Sequence, residues 1–260
     1  MRSNVTAIVT CMTDAEQPFI REALQSVQDQ TMACETIIVV LESNTWIDEV
    51  AADFPHMKVM RRPPGWEGAA RHTAIDAART EFVAFLDGDD VWLPNKTSRQ
   101  REFLRHACWD LVGADYIMTT EEGKPFAYGL ARHMPPPSAW MVRRETMLRY
   151  PFDPNTPLAV DWQWWVSTWH TVRRFRLPEP LMKYRVRGQS LSTALPVKRR
   201  KLALSKLSRV PTARPLLLAA TYALYRLYRR RDYAVPKGIP QGLHAREATE
   251  SGQMGSRIVP

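Results

Sequence analysis

Three short apolar runs, each separated from the next by a helical pattern, restrict this chain to few architectures. Val5 to Val9, broken only by Thr6, then Thr36-Ile37-Ile38-Val39-Val40-Leu41, then Phe82-Val83-Ala84-Phe85-Leu86 are too brief for ordinary helices and rich in β-formers. They read as strands buried on both faces. Further strands are expected over 57–60, 111–118 and 139–143, and helices over 18–28, 46–53, 68–79, 94–106 and 144–149. Strand and helix alternate, which implies parallel neighbours joined by right-handed crossovers: an α/β, Rossmann-like, mostly parallel sheet with helices on both faces. Segments 123–137, closed by Pro135-Pro136-Pro137, and 151–157 are expected to be loops.

The third run ends at Asp87-Gly88-Asp89-Asp90. Gly88 permits a tight turn at the carboxyl end of the strand, where an open α/β sheet binds its ligands. Three carboxylates this close repel one another and raise their own pKa values unless a cation or a set of donors lies between them. A divalent metal bridging to phosphate oxygens suits such a turn. A solvated acidic turn, with Asp90 capping the helix near Pro94, also accounts for it.

Further along, Val160-Asp161-Trp162-Gln163-Trp164-Trp165 continues to Trp169. Helical spacing places Trp162, Trp165 and Trp169 on one face, a stripe that more often packs a core than binds a ligand. Asp161 then stands in the first helical turn, where the helix dipole favours an acid.

The net charge of +9 belongs to one segment. Between Pro180 and Arg231 there are 14 Lys or Arg and no acid, leaving 22 basic against 27 acidic residues elsewhere, a net of −5. The organisation expected is a domain over 1–192, a basic helical appendage over 193–233 that brackets the apolar stretch Leu216 to Tyr225, and a Gly- and Pro-containing tail over 234–260 without periodicity, expected to be disordered. The appendage suits either an anionic bilayer surface or docking on protein. It lacks the aromatic interleaving of a nucleic-acid binder, and no nucleic-acid partner is expected. Cys11, Cys34 and Cys108 show no Cys-x-x-Cys spacing, so neither a disulfide framework nor a zinc site is indicated and a reducing cytoplasm is the natural compartment. The first residues lack the h-region of a signal peptide, and no run approaches the ~20 apolar residues that cross a bilayer.

The series Thr10, then Glu22-Ala23-Leu24-Gln25-Ser26-Val27 with Gln30-Thr31, Glu42, Gly68-Ala69-Ala70-Arg71, Asp87-Gly88-Asp89-Asp90-Val91-Trp92-Leu93-Pro94, Asp161, Glu179-Pro180-Leu181 and Tyr184-Arg185 resembles the family 2 glycosyltransferases. The resemblance runs from about Val5 to Ser192. It implies a GT-A fold and an inverting transfer of sugar from a nucleotide-diphosphate donor to a glycan or lipid-linked acceptor, assisted by Mn²⁺ or Mg²⁺. By the same resemblance Thr10 and Glu42 line the nucleoside pocket, Arg71 approaches base or diphosphate, Asp87 and Asp89 hold ribose and metal around Gly88, and Asp161 is the general base.

The chain departs from the family pattern at several points. Leu41-Glu42 stands where paired acids are frequent, Met12 where an aromatic is usual, Val160 where an acid often precedes the base, and Arg187 where many members have His. Met12 still packs on a base through its thioether, and Arg187 offers a diphosphate clamp in place of a metal ligand. The Gln-x-x-Arg-Trp signature of processive synthases is absent, which implies one sugar per encounter. A catalytically inactive relative that binds a partner is the competing reading, though it would be expected to lose Asp87, Asp89 and Asp161 first. The enzyme reading places the protein in the cytoplasm, with a peripheral position at the inner face of the membrane if the appendage binds lipid.

Overall fold

The computed structural model describes residues 3–105, 109–129, 134–188 and 196–228. Strand and helix alternate as expected through β1 (Val5–Cys11), α1 (Ile20–Gln28), β2 (Glu35–Leu41), α2 (Ile47–Ala52), β3 (Lys58–Arg62), α3 (Glu67–Ala77) and β4 (Phe82–Asp87). Then follow β5 (Val91–Trp92), α4 (Lys96–Arg105), β6 (Leu111–Thr119), β7 (Pro125–Gly129), β8 (Trp140–Arg143), α5 (Arg144–Arg149), α6 (Val160–Ser167) and β9 (Arg174–Arg185), before α7 (Pro196–Leu207) and α8 (Ala213–Tyr228). The expected tail over 234–260 lies outside the described residues, as do Cys108 and residues 193–195 of the appendage.

The strands form one sheet in the order β3-β2-β1-β4-β8-β6-β9-β5, with β7 paired to β6. Its first four strands are parallel, and all seven residues of β1 and the first five of β4 are buried, as continuous apolar runs covered on both faces must be. The second half mixes directions. Strand β8 runs antiparallel to both β4 and β6, while β6 and β9 are parallel. On its β8 side, β4 is paired only over Phe82–Ala84, so its last residues open into a crevice where the strand directions change.

Two elements depart from expectation. Pro125–Gly129 lies within the segment expected to be a loop, yet it pairs with β6 through a turn at Gly123, whose φ of 77° suits glycine. Its Pro125 opens the strand, where a missing N–H costs no ladder bond. Of the expected tryptophan stripe, Trp165 and Trp169 do meet, with ring centroids 6.4 Å apart on the core, but Trp162 does not join them. Trp164 and Trp165 are buried against Trp140, with ring centroids 5.5 and 5.3 Å away, while Trp162 is 56% exposed.

One core residue gives a testable pH dependence. Lys96, wholly buried, donates to the Trp140 carbonyl at 3.3 Å and lies 4.0 Å from the centre of the Trp92 ring, and burial pulls its ammonium down to about 7. Between that value and the ordinary 10.5 the unfolded chain binds the additional proton, so stability declines as pH falls through this window and is flat below it. Lys96→Met is expected to be more stable than the parent by on the order of 1–3 kcal/mol at pH 7 and below. That gain should shrink as pH rises towards 10.5, and thermal melts from pH 6 to 10 check it: a pH-independent difference is the contrary result.

Candidate active site

The parallel half of the sheet delivers its polar residues to one end. Thr10 of β1 and Asp87 of β4 are register partners, and the Thr10 hydroxyl reaches Asp87 Oδ1 at 3.4 Å. The Gly88 N–H donates to the Thr10 carbonyl at 2.9 Å. A Cβ on Gly88 would lie 3.2 Å from that carbonyl oxygen and 3.3 Å from Ile20 Cδ1, so glycine eases close packing on β1 here and does not serve a left-handed turn. Ser138, on the short helical turn before β8, accepts the Asp87 N–H at 3.1 Å.

Around this turn lies a cleft of about 710 Å³, whose walls include Thr10, Met12, Glu16, Arg71, Asp87, Asp89, Asp161 and Arg187. Of the residues singled out from the sequence, Gly88 is buried behind the turn and Glu42 is exposed at the end of β2, outside the cleft lining. Asp153, in the loop before α6, accepts the Asn155 N–H and the Thr156 hydroxyl, each at 2.9 Å, which makes it a turn residue.

The acids of the turn are not left to repel one another. Arg71, 1% exposed, donates through Nη2 to Asp87 at 2.7 Å and to Glu67, four residues back on α3. Its guanidinium lies 5.8 and 5.7 Å from the ring centres of Phe85 and Phe152. Thus it steadies Asp87 instead of lying open to solvent, while Nε and Nη1 find no partner among the described residues. Asp89 pairs with Arg187 Nε at 2.6 Å. Asp90, fully buried, accepts the Arg185 N–H at 2.9 Å and does not cap α4. Burial and then the negative charge of Asp89 push its carboxyl well above the ordinary range.

Two further residues were given no role from the sequence. Glu16 sits in the cleft wall with its carboxylate accepting the Thr13 N–H at 2.8 Å, and burial followed by Asp89 pushes it up to about 8. The signal was present in Thr13-Asp14-Ala15-Glu16, the spacing of a capping box, directly after a strand. Arg185 ties the acidic turn to the rest of the fold, donating to the Asp89 carbonyl at 2.8 Å, the Glu121 carbonyl at 2.6 Å and the Glu22 carboxylate.

The start of α6 also lines the cleft. Ala159 has φ 56° and ψ 36°, a left-handed conformation that costs a non-glycine residue about 1–2 kcal/mol, and Asp161 follows two residues later. Gly68 lets α3 approach: a Cβ there would come within 2.8 Å of Val160 and 2.9 Å of the Asp153 carbonyl. This packing brings Arg71 near enough to Asp161 that the carboxylate helps to raise the guanidinium pKa.

Asp87 and Asp89 provide two hard oxygen donors from one turn. No three His, Cys, Asp or Glu side chains among the described residues form a self-sufficient metal cluster. Two carboxylates are what Mg²⁺ or Mn²⁺ uses when phosphate and water complete its shell, and the Asp89 charge, which adds to burial in raising Glu16 and Asp90, is one that such an ion would offset. The residues present fit the ion.

Comparison with known proteins agrees with this geometry. The family model described as "Glycosyl transferase family 2" matches residues 6–167. The chain is 22% identical over 209 residues to the uncharacterized glycosyltransferase MJ1057 of Methanocaldococcus jannaschii, covering 72% of each, and 38% identical over 88 residues to the succinoglycan biosynthesis protein ExoW of Rhizobium meliloti, covering 31% of this chain and 28% of that one. It thus spans most of the first relative and under a third of the second. Among solved structures, the mannosyltransferase PcManGT from Pyrobaculum calidifontis, in complex with GDP-Man and Mn²⁺, superposes with a TM-score of 0.59 at 18% identity, over 88% of this chain and 71% of that one.

Proposed function

The chain belongs to the family 2 glycosyltransferases and has their GT-A fold, and on that premise we propose an inverting, single-sugar transfer from a nucleotide-diphosphate donor to a glycan or lipid-linked acceptor. One observation carries the reading: Asp87 and Asp89 at the end of β4, and Asp161 at the start of α6, face one cleft of about 710 Å³. That volume falls within the range that suits a nucleotide-sized ligand. The nucleotide-sugar-bound neighbour supports the choice of donor, and the succinoglycan relative supports a place in polysaccharide biosynthesis.

In this reading Thr10 and Met12 bound the nucleoside, and Asp87 and Asp89 hold the divalent cation. When bound, the cation supplies charge neutralisation at the departing diphosphate. Arg187, beside Asp89, adds a guanidinium to the same phosphates. Asp161 accepts the proton of the acceptor hydroxyl as that oxygen bonds to the anomeric carbon and the bond to the diphosphate breaks. Trp66 and Leu158, exposed on the cleft wall, offer apolar surface to the acceptor's sugar ring. The free thiols of Cys11 and Cys34 suit a reducing cytoplasm.

Calorimetric titration of UDP and GDP, with Mn²⁺ and with chelator, tests the donor site. Binding is expected to need the metal, and Asp89→Ala is expected to weaken it by more than about tenfold, since one of two protein ligands is lost. The same substitution frees Arg187, so a small metal-independent remainder is also expected. Equally strong binding in chelator, by either protein, would remove the metal assignment.

A further inference from the structure

We infer that α7 and α8 form a docking surface for an anionic bilayer. The inference rests on the transferase reading only where it concerns the acceptor. One side of α8 is fixed to the domain. The Thr221 hydroxyl accepts the Tyr128 N–H at 3.2 Å, the Tyr225 hydroxyl donates to the Pro178 carbonyl at 2.7 Å, and the Tyr225 ring stacks on Tyr128 with centroids 5.3 Å apart. Leu217 and Leu218 are half-buried on the same side.

At about 100° per residue the opposite face carries Leu216, Ala220, Ala223 and Leu227, with Leu224 beside them. All are exposed, Leu216 at 71% and Leu227 at 74%, and no charged residue interrupts this strip. Among the described residues nothing covers it. A row of exposed leucines on a helix already anchored through its other side is not explained by packing within the fold.

Charge decides what the face fits. The whole segment from Pro180 to Arg231 has 14 basic residues and no acid. On α7 the exposed positions include Arg199, Arg200 and Lys206, and Arg209 follows in the connection to α8. An apolar strip whose own segment carries cations and no acid, with Glu122 of the β6–β7 turn 4.0 Å from Arg209 as a neighbouring carboxylate, complements the acyl chains and anionic headgroups of a membrane surface; a second copy of the same segment would instead bring like charges together. No described helix is long and apolar enough to cross a membrane, so α8 would lie in the interface plane.

The surface also adjoins the cleft. Lys201 and Leu202 of α7 belong to the cleft wall, and Lys201 Nζ lies 4.1 Å from the centre of the Tyr184 ring, itself part of that wall. The expected boundary near residue 192 therefore does not separate appendage from site. A bilayer held against α7 and α8 would present acceptors beside the cleft, which selects the lipid-linked class over the soluble one.

Flotation of the full chain with phosphatidylcholine vesicles, and with vesicles that also contain phosphatidylglycerol, tests this without any turnover. Binding to the anionic vesicles is expected to be at least about tenfold tighter, and to weaken as salt rises. The variant carrying Leu216→Glu and Leu227→Glu should lose flotation while keeping its far-ultraviolet circular dichroism and its affinity for Mn²⁺ with UDP or GDP. That nucleotide affinity reports on the donor site separately, so the two readings can fail independently. Equal flotation on both vesicle types, or undiminished flotation of the folded variant, overturns the proposal. A dimer in light scattering that the two glutamates dissolve, without lipid binding, also overturns it and assigns the strip to a second copy.

Discussion

Asp161→Asn is expected to lower transfer by about 10²- to 10⁴-fold while donor affinity changes by no more than a few-fold. Asn keeps the size and hydrogen-bonding capacity of the side chain but does not take up the acceptor proton. Asp161 stands in the first turn of α6, in the wall of the cleft that Asp87 and Asp89 also line, and is not one of the residues assigned to the donor. Its charge also acts on Arg71, the partner of Asp87, so donor affinity is measured beside the rate. The left-handed Ala159 just before it is a position where the fold accepts local strain, a frequent sign that the following geometry serves function. Asp153→Asn is the control, because that carboxylate is already committed to the turn at Asn155 and Thr156; its rate should stay within a few-fold. Near-full transfer by Asp161→Asn would remove the base assignment. A product with the donor's anomeric configuration would remove the single displacement.

Those two aspartates also show how far the sequence could be read. Local chemistry was legible at Asp153, which between Pro151 and Pro154 reads as a turn residue, whereas Asp161 at the head of a helix reads locally as a first-turn acid and only the family resemblance gives it the role of base. The buried runs that became β1, β2 and β4 were legible for the same reason, since a strand covered on both faces must be apolar throughout. What local pattern does not carry is partnership across the chain. Asp87, Asp89 and Asp90 look like a repelling cluster until Arg71, 16 residues earlier, and Arg187, 98 residues later, are found paired with the first two. The first two acids thus already have counter-charges, and removing Asp89 would leave a largely buried arginine without its partner. Strand β7 was missed because its five residues follow a tight turn and precede a proline-rich stretch, and only pairing with β6 reveals it. The tryptophans of α6 misled because helical spacing identifies a shared face without saying which face the core occupies; Trp140 decides that, from another strand.

Long-range pairing is also where the largest stability effect is expected. Arg176 on β9 and Asp115 on β6 are both essentially inaccessible to water, with Arg176 Nε donating to Asp115 Oδ1 at 2.9 Å and Nη2 to Oδ2 at 2.5 Å. Two charges withdrawn from water are tolerated only while each satisfies the other. Arg176→Met keeps most of the aliphatic stem but takes the guanidinium away from a buried carboxylate, and is expected to cost about 3–5 kcal/mol. For a domain of this size that lowers the melting temperature by about 6–20 °C. Adding Asp115→Leu removes that carboxylate as well and should restore most of the loss, because an apolar pair of similar volume commonly replaces a buried ion pair at little cost. The pair sits where the register between β6 and β9 shifts, beside Asp115, and β9 ends at Arg185, which fastens the acidic turn. If the pair fixes that register, the double variant will be stable yet bind Mn²⁺ with UDP or GDP more weakly than the parent; if it serves stability alone, donor affinity will return together with the melting temperature. A single variant that melts within about 1 kcal/mol of the parent would show that Asp115 holds its charge without Arg176, and the account of this part of the core would fail.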